Sequence, residues 1–247
     1  MKICKCKNKR HADILTVEYI GCIIKTSVTQ RLRRRHSSAV LLIGIQMRSA
    51  VPTTDNYIRR YDGEDIMKYN KRVILKNGIE CTVENGTESD GESLRRVFNQ
   101  THAETDYLLS YPDENSFTVE AEQNFLKEKT ESEREIEIVA KIDGVVVGSA
   151  GVEQVGEKYK LRHRAEFGIS ILKDYWGLGI GRILTEACIE CARKAGYTQL
   201  ELDVVADNER AIGMYKSVGF AEFGRNPRGF NSRESGYQEL VYMRLEL

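Results

Sequence analysis

One stretch near the middle of the chain constrains the fold most, because it joins a strand pattern, a glycine turn and a helix pattern. Apolar residues alternate with polar residues or glycine over 166–171, which is the period of a half-buried strand. Glycines then occupy alternate positions, at Gly177, Gly179 and Gly181. From Arg182 onward the apolar residues recur at helical spacing. The stretch therefore predicts a strand, a tight turn and a helix in direct succession.

Such a turn is suited to an anionic ligand. Glycines allow backbone N–H groups to approach a ligand without interference from Cβ atoms. The first turn of the following helix adds N–H groups that have no partner within the helix. Together these groups predict a phosphate site, and most naturally a pyrophosphate site.

The spacing of the glycines discriminates between pyrophosphate-binding patterns. The dinucleotide fingerprint Gly-x-Gly-x-x-Gly would need its third glycine at Arg182 or at Leu184, and neither position is glycine. Asp203 does lie where that fingerprint has an acid, so a nucleotide-dependent oxidoreductase stays open. A phosphate loop of the type Gly-x-x-x-x-Gly-Lys-Ser/Thr is absent from this stretch.

Residues 176–181, Trp-Gly-Leu-Gly-Ile-Gly, resemble the acetyl-CoA loop of the GNAT N-acetyltransferases, Gln/Arg-x-x-Gly-x-Gly/Ala. They depart from it at the first position, where Trp176 replaces Gln or Arg. Residues 143–148 resemble the family's turn and strand before the central strand, and residues 208–220 are similar to its Asn-x-x-Ala-x-x-x-Tyr-x-x-x-Gly-Phe signature. The resemblance covers residues 79–247 and points to the branch with bacterial ribosomal-protein and small-amine acetyltransferases.

The resemblance implies an α+β fold, in which a mixed, mostly antiparallel sheet splays open at the acetyl-CoA site and is flanked by helices. The predicted order of elements agrees: a strand, two helices, three strands, a helix, a strand, a helix and final strands. Asp143-Gly144 is predicted to be a hairpin turn. Thr118 is predicted to cap the second helix.

The resemblance also implies a reaction and a set of residues. An acetyl group passes from acetyl-CoA to a primary amine by direct attack in a ternary complex. The implied contacts to the cofactor are Ile169, Ile171, Leu172, Trp176, Gly177, Leu178, Gly179, Ile180, Gly181, Arg182 and Asn208. Tyr215 matches the family tyrosine that protonates the leaving thiolate. Glu166 is the candidate base for the amine, and Glu153 and His163 are weaker candidates.

The acceptor is not determined by these motifs. Residues 105–116, 156–162 and 225–237 form the irregular segments in which the choice of acceptor is expected, and both a small molecule and a protein N-terminus stay open. A homodimer also stays open. Because a fold does not fix a function, a non-catalytic acyl-CoA-binding sensor or interaction module is the alternative to an enzyme.

Charge divides the chain into two parts. Residues 1–66 carry thirteen Lys and Arg against six Asp and Glu, whereas the whole chain is neutral, so residues 67–247 are acidic. We expect a basic extension over 1–66, accessory or poorly ordered, and an acetyltransferase domain over 67–247. An acidic domain favours a cationic amine and disfavours nucleic acid as the partner.

The six cysteines follow no metal-binding spacing, so neither a metal site nor a disulfide framework is expected. The apolar run at residues 39–45 is too short to span a bilayer. The sequence therefore predicts a reducing, cytoplasmic location without membrane attachment.

Overall fold

The computed structural model describes residues 67–247, and the predictions for residues 1–66 lie outside the described residues. This part of the chain forms eight strands and four helices. In chain order the elements are β1 (Asn70–Ile74), β2 (Glu80–Asn85), α1 (Gly91–Glu104), α2 (Val119–Glu131), β3 (Ile136–Ile142), β4 (Val145–Gln154), β5 (Arg164–Ile171), α3 (Ile180–Lys194), β6 (Gln199–Val205), α4 (Glu209–Ser217), β7 (Ala221–Ser232) and β8 (Gly236–Glu246).

All eight strands belong to one open sheet, in the order β1-β2-β3-β4-β5-β6-β8-β7. Only β5 and β6 are parallel neighbours in this sheet. The turn between β3 and β4 is Asp143-Gly144, in which both residues have positive φ, 49° and 78°. A two-residue turn of this kind matches the twist of the strands that it joins, and the hairpin prediction is confirmed.

The parallel pair is joined over only part of its length. Residues 164–166 of β5 pair with residues 199–201 of β6, and the ladder ends there. Beyond Glu166, β5 stays paired with β4 as far as Ile171, and β6 stays paired with β8 as far as Val205. The two halves of the sheet therefore diverge, and a wedge-shaped opening separates the ends of β5 and β6.

Helices cover both faces of the sheet. Ile138 of β3 belongs to the larger core cluster, with Leu184 of α3, whereas its neighbour Val139 belongs to a smaller cluster with Leu126 of α2. This alternation is the two-residue period of a strand that is buried on both faces. Burial of each such aliphatic side chain contributes about 1.5–3 kcal/mol, so packing on both faces anchors the centre of the sheet.

Three further observations concern the described residues. Thr118 Oγ1 accepts a hydrogen bond from Ala121 N at 3.1 Å, so the predicted cap of α2 is confirmed. Strand β1 was not predicted, because its residues are mostly exposed, two of the five are charged, and they show no apolar period. Within residues 67–247, no helix is both long and apolar enough to cross a membrane, and no group of His, Cys, Asp and Glu side chains is arranged to hold a metal ion.

Candidate active site

The glycine turn between β5 and α3 lies at the mouth of the opening. Gly177 has φ 86° and Gly179 has φ 99°, a conformation that L side chains rarely adopt. Gly179 is the N-cap of α3, and its carbonyl accepts the first helical hydrogen bond, from Ile183 N at 3.2 Å. The N–H groups of the first turn of α3 therefore follow directly behind two residues without side chains, which is the arrangement that binds anions.

The end of β5 presents backbone groups to the opening. Leu172 N donates to Val147 O at 3.0 Å, which fixes the phase of the ladder with β4. By the alternation of an antiparallel pair, the N–H and C=O groups of Ile169 and Ile171 face the other edge, where the ladder with β6 has ended. The splayed sheet leaves these groups for a ligand, except the carbonyl of Ile171, which accepts from the indole N–H of Trp176 at 2.7 Å.

Leu172 departs from the prediction. Its N–H is bonded to Val147, and its carbonyl accepts from Tyr175 N at 2.9 Å. Both backbone groups are therefore used within the protein, and the side chain is buried. The prediction that Leu172 offers free backbone groups to the cofactor is wrong, because β5 remains paired with β4 to its end.

One cavity of about 960 Å³ runs from the glycine turn through the opening between β5 and β6. Ten of the thirteen predicted site residues line it: Glu166, Ile169, Ile171, Trp176, Gly177, Gly179, Gly181, Arg182, Asn208 and Tyr215. The other three, Leu172, Leu178 and Ile180, do not line it. The structure thus brings together residues that are up to fifty positions apart in the sequence, in a cavity of the size that holds small molecules and cofactors.

The two signature residues of α4 contribute in different ways. Asn208 caps the helix, because its Oδ1 accepts from Ala211 N at 3.2 Å, and its amide nitrogen is the group that remains for a ligand. Tyr215 is buried, and its ring packs edge-on against Phe167 of β5 at a centroid distance of 6.1 Å and in a tilted arrangement against Phe220 at 5.8 Å. The phenol ring is therefore held rigidly at the wall of the cavity.

Three acidic residues lie on the strands that flank the opening. Glu166 is the last residue of β5 that pairs with β6, and it stands beside Glu201. Glu201 is occupied, since Arg164 donates to both of its carboxylate oxygens at 2.6 Å. Asp203 follows two positions later on the same face of β6, beyond the end of the ladder, and lines the cavity.

Asp203 is a functional candidate that the sequence pattern indicated only as the acid of a dinucleotide fingerprint. Asp203 is exposed to the cavity, whose walls partly desolvate its carboxyl; this raises its pKa to about 6, and the charge of Glu201 adds to the effect. A carboxylate with such a pKa is a better proton acceptor near neutral pH than an ordinary aspartate. The alternation of Glu201 and Asp203 with apolar neighbours was the available signal, because it places both acids on one face of the strand.

The far wall of the cavity is built from the α1–α2 loop and the β7–β8 hairpin. Asp106 joins them, since its carboxylate accepts from Ser232 Oγ at 2.7 Å, Ser235 Oγ at 2.9 Å and Gln238 Nε2 at 3.0 Å. Burial alone would raise the pKa of Asp106, but these hydroxyl hydrogen bonds, with one from Tyr111, lower it. The apolar and aromatic side chains of this wall are Tyr107, Leu108, Leu109, Phe223, Phe230, Leu240 and Tyr242.

An open, mixed sheet that diverges beside a glycine turn and a helix N-terminus defines the class of acetyltransferase folds to which the sequence motifs point. Residues 98–220 match the Acetyltransferase (GNAT) family. The chain therefore contains a GNAT acetyltransferase domain, and the predicted family and fold are confirmed.

Comparisons with individual proteins agree with this assignment. The chain is 32% identical over 108 residues to L-amino acid N-acetyltransferase AaaT of Escherichia coli, covering 43% of this chain and 65% of that protein. It is 35% identical over 81 residues to the [ribosomal protein bS18]-alanine N-acetyltransferase of the same organism, covering 33% and 54%. The chain thus spans less than two thirds of the length of these curated relatives.

A solved structure shows the same fold. The GNAT-family acetyltransferase from Streptococcus pneumoniae superposes with a TM-score of 0.65 at 26% identity, covering 68% of this chain and 99% of that protein.

Proposed function

We propose that the protein is an acetyl-CoA-dependent N-acetyltransferase that acts by direct attack of a primary amine within a ternary complex. The observation that carries the proposal is the single cavity that joins the glycine turn, the free backbone edge of β5 and the acids of β6. A ternary mechanism needs the anion site, the thioester site and the amine site to be continuous, and this cavity contains groups suited to each.

The residues fit acetyl-CoA, which supplies the acetyl group as a thioester. Gly177, Gly179 and the first turn of α3 offer N–H groups to a pyrophosphate. The free edge offers the N–H groups of Ile169 and Ile171 and the C=O group of Ile169 to an extended chain of amides. An N–H on this edge also stabilises the negative charge that develops on the acetyl oxygen, an effect commonly worth about 3–4 kcal/mol of barrier.

Two proton transfers are assigned, one to a base and one to an acid. Asp203 is our first candidate for the base that receives the proton of the ammonium, because its pKa of about 6 makes it a usable acceptor at neutral pH. Glu166, at the fork of the two strands, is the second candidate. Tyr215 is the proposed acid for the departing thiolate, since it lines the same cavity and a phenol is close in acidity to a thiol.

The acceptor is proposed to be a primary amine, in a small molecule or at a protein N-terminus. The acids on β5 and β6 attract an ammonium group, and the nearby cation Arg164 is neutralised by Glu201. The names of the two relatives include both kinds of acceptor, an amino acid and the alanine of a ribosomal protein. A binding module without turnover is the competing outcome.

The first experiment tests binding of the cofactor by thermal shift with CoA and with NAD. We expect CoA, and not NAD, to raise the melting temperature, and Gly179→Asp to abolish the shift by placing a side chain and a negative charge in the anion site. Gly196→Asp is the matched control, because Gly196 also has positive φ (78°) but lies at the other end of α3. An unchanged CoA shift in folded Gly179→Asp overturns the cofactor assignment.

The second experiment tests turnover, by release of free thiol from acetyl-CoA with a panel of primary amines and N-terminal peptides. Thiol release that depends on the added amine supports the proposed acetyltransferase activity. CoA binding without any release across the panel supports the binding module instead.

A further inference from the structure

The hairpin of β1 and β2 is docked on the glycine turn, although β1 is the edge strand farthest from the opening on its side of the sheet. Lys76, in the turn of this hairpin, donates its backbone N–H to Leu178 O at 3.2 Å. At the other end of β1, Lys71 Nζ pairs with Glu190 of α3 at 2.8 Å. The hairpin therefore runs along α3 and reaches the loop that precedes it.

This docking places the side chain of Lys76 over Gly179. A Cβ atom at Gly179 would lie 3.8 Å from Lys76 Cε and 3.9 Å from Lys76 Cγ. Lys76 lines the cavity, and within the described residues its ammonium forms no ion pair with a carboxylate. Lys76 is thus the hairpin's only contribution to the cavity wall, and it places a cation beside the N-terminus of α3.

A second cation approaches the same turn from α4. Arg210 Nη2 would lie 3.2 Å from a Cβ atom at Gly177, and its guanidinium carbon is 5.7 Å from the centre of the Trp176 ring. Arg210 also lines the cavity and forms no ion pair among the described residues. Lys76 and Arg210 therefore stand close to the two glycines of the turn that have positive φ.

Two cations beside a helix N-terminus repel each other and the positive end of the helix dipole unless an anion lies between them. Four Lys and Arg side chains of the described residues line the cavity; Arg164 is paired with Glu201 and Arg182 with Glu186, whereas Lys76 and Arg210 have no carboxylate partner. Leaving this pair without carboxylate partners is the expected arrangement where a multiply charged ligand is bound and released.

We propose that Lys76 and Arg210 form a cation pair that binds phosphate groups of CoA over the glycine turn. The proposal rests on the proposed function. It assigns the β1–β2 hairpin, whose first strand was not predicted, to the cofactor site. It also assigns to Lys76 and Arg210 a positive charge that Trp176, in place of the family's Gln or Arg, cannot supply. Charge-assisted hydrogen bonds to a phosphate are stronger than neutral ones, so the pair adds to the contribution of the backbone amides.

The test measures the dissociation constants of CoA, 3′-dephospho-CoA and pantetheine by calorimetry on the full chain. We expect Lys76→Gln and Arg210→Gln each to weaken CoA binding about five- to twentyfold and to leave pantetheine, which has no phosphate, unchanged. Lys76→Arg should restore most of the affinity. Raising the salt concentration should weaken CoA binding to the wild type more than to either variant.

Two control variants share the same elements. Arg72→Gln removes a cation from the same hairpin whose side chain is 75% exposed, and Lys216→Gln removes one from α4; neither residue lines the cavity. Both should bind CoA like the wild type. A variant that weakens CoA but not 3′-dephospho-CoA assigns its cation to the 3′-phosphate, and equal loss with both assigns it to the pyrophosphate; each result supports the pair.

The proposal is overturned if folded Lys76→Gln and Arg210→Gln bind CoA like the wild type, or if pantetheine binding falls to the same extent as CoA binding. Either result leaves the proposed function intact, because the wild type still binds CoA. Failure of the wild type itself to bind CoA overturns the proposed function instead.

Discussion

Trp176 donates its indole N–H to the carbonyl oxygen of Ile171 at 2.7 Å. This bond joins the first residue of the glycine turn to the last residue of β5, so the anion site and the free strand edge are held in one arrangement. It also uses a carbonyl that faces the opening. The residue that departs from the family's loop pattern is therefore a structural brace between two parts of the proposed cofactor site.

Replacement of this residue tests the brace. Trp176→Phe keeps an aromatic ring but removes the indole N–H donor. We expect CoA affinity to fall about three- to tenfold, which is the usual contribution of one hydrogen bond. Calorimetry measures the loss. Trp176 is the only tryptophan in the chain, so its fluorescence in the wild type should also change as CoA is added. Unchanged affinity in the variant would show that the turn keeps its position without the bond.

Tyr215→Phe separates packing from chemistry. Phenylalanine keeps the ring contacts with Phe167 and Phe220 but removes the phenol proton. We expect CoA to bind as before and kcat to fall about ten- to a thousandfold, the range for loss of a positioned acid.

Tyr197→Phe is the control for Tyr215→Phe, since Tyr197 is equally buried but does not line the cavity. It should leave kcat unchanged. A parallel loss of CoA affinity and kcat in Tyr215→Phe would make Tyr215 an anchor for the cofactor, and no change in either would make it a core residue.

The pH dependence of kcat/KM distinguishes the two candidate bases. If Asp203 receives the proton, activity should rise with pH through about 6, because only the deprotonated carboxylate is active. Asp203→Asn should remove this limb and lower activity about ten- to a hundredfold. Glu166→Gln should keep the limb. The reverse pattern, with the limb lost in Glu166→Gln and kept in Asp203→Asn, would assign the base to Glu166.

A buried carboxyl away from the cavity should make stability depend on pH. Glu137 of β3 is 2% exposed, and burial raises the pKa of its carboxyl to about 8. Ser149, Lys129, Glu153 and Glu122 surround it. The folded chain therefore keeps a proton that the unfolded chain releases, and the free energy of unfolding should fall as pH rises from about 5 to about 8.

Glu137→Gln should flatten this dependence, because a neutral amide does not ionise. At pH 9 we expect the variant to be more stable than the wild type by on the order of 2 kcal/mol, measured by urea unfolding. Glu157→Gln, an exposed position, is the control and should keep the slope of the wild type. An equal slope in Glu137→Gln and the wild type would show that Glu137 does not titrate in this range.

Local signals in the sequence were sufficient for the elements around the site. Alternation over 166–171 predicted β5, and the helical period after Arg182 predicted α3. The Asp143-Gly144 turn and the Thr118 cap were predicted because each depends on residues a few positions apart. Spaced glycines predicted an anion site for the same reason, since the need for positive φ is a property of the turn itself.

Contacts between distant parts of the chain were outside the reach of such patterns. Strand β1 has charged residues on both faces, and only its pairing with β2 makes it a strand. Asp203 became a candidate base because the ladder between β5 and β6 ends before it, and the free backbone groups predicted at Leu172 are absent because the ladder with β4 continues up to it. Ladder ends depend on both strands, so neither strand's sequence determines them.

The sequence by itself determined the order of the elements, the backbone conformation of the glycine turn and the family of the domain. Hydrophobic periodicity and local dihedral preferences depend on residues that are neighbours in the chain. Only the tertiary structure decided which charges meet at that turn. Lys76 lies about one hundred residues before Gly179, and Arg210 lies about thirty residues after Gly177. Their positions depend on how an edge hairpin and a short helix pack against α3 and β5.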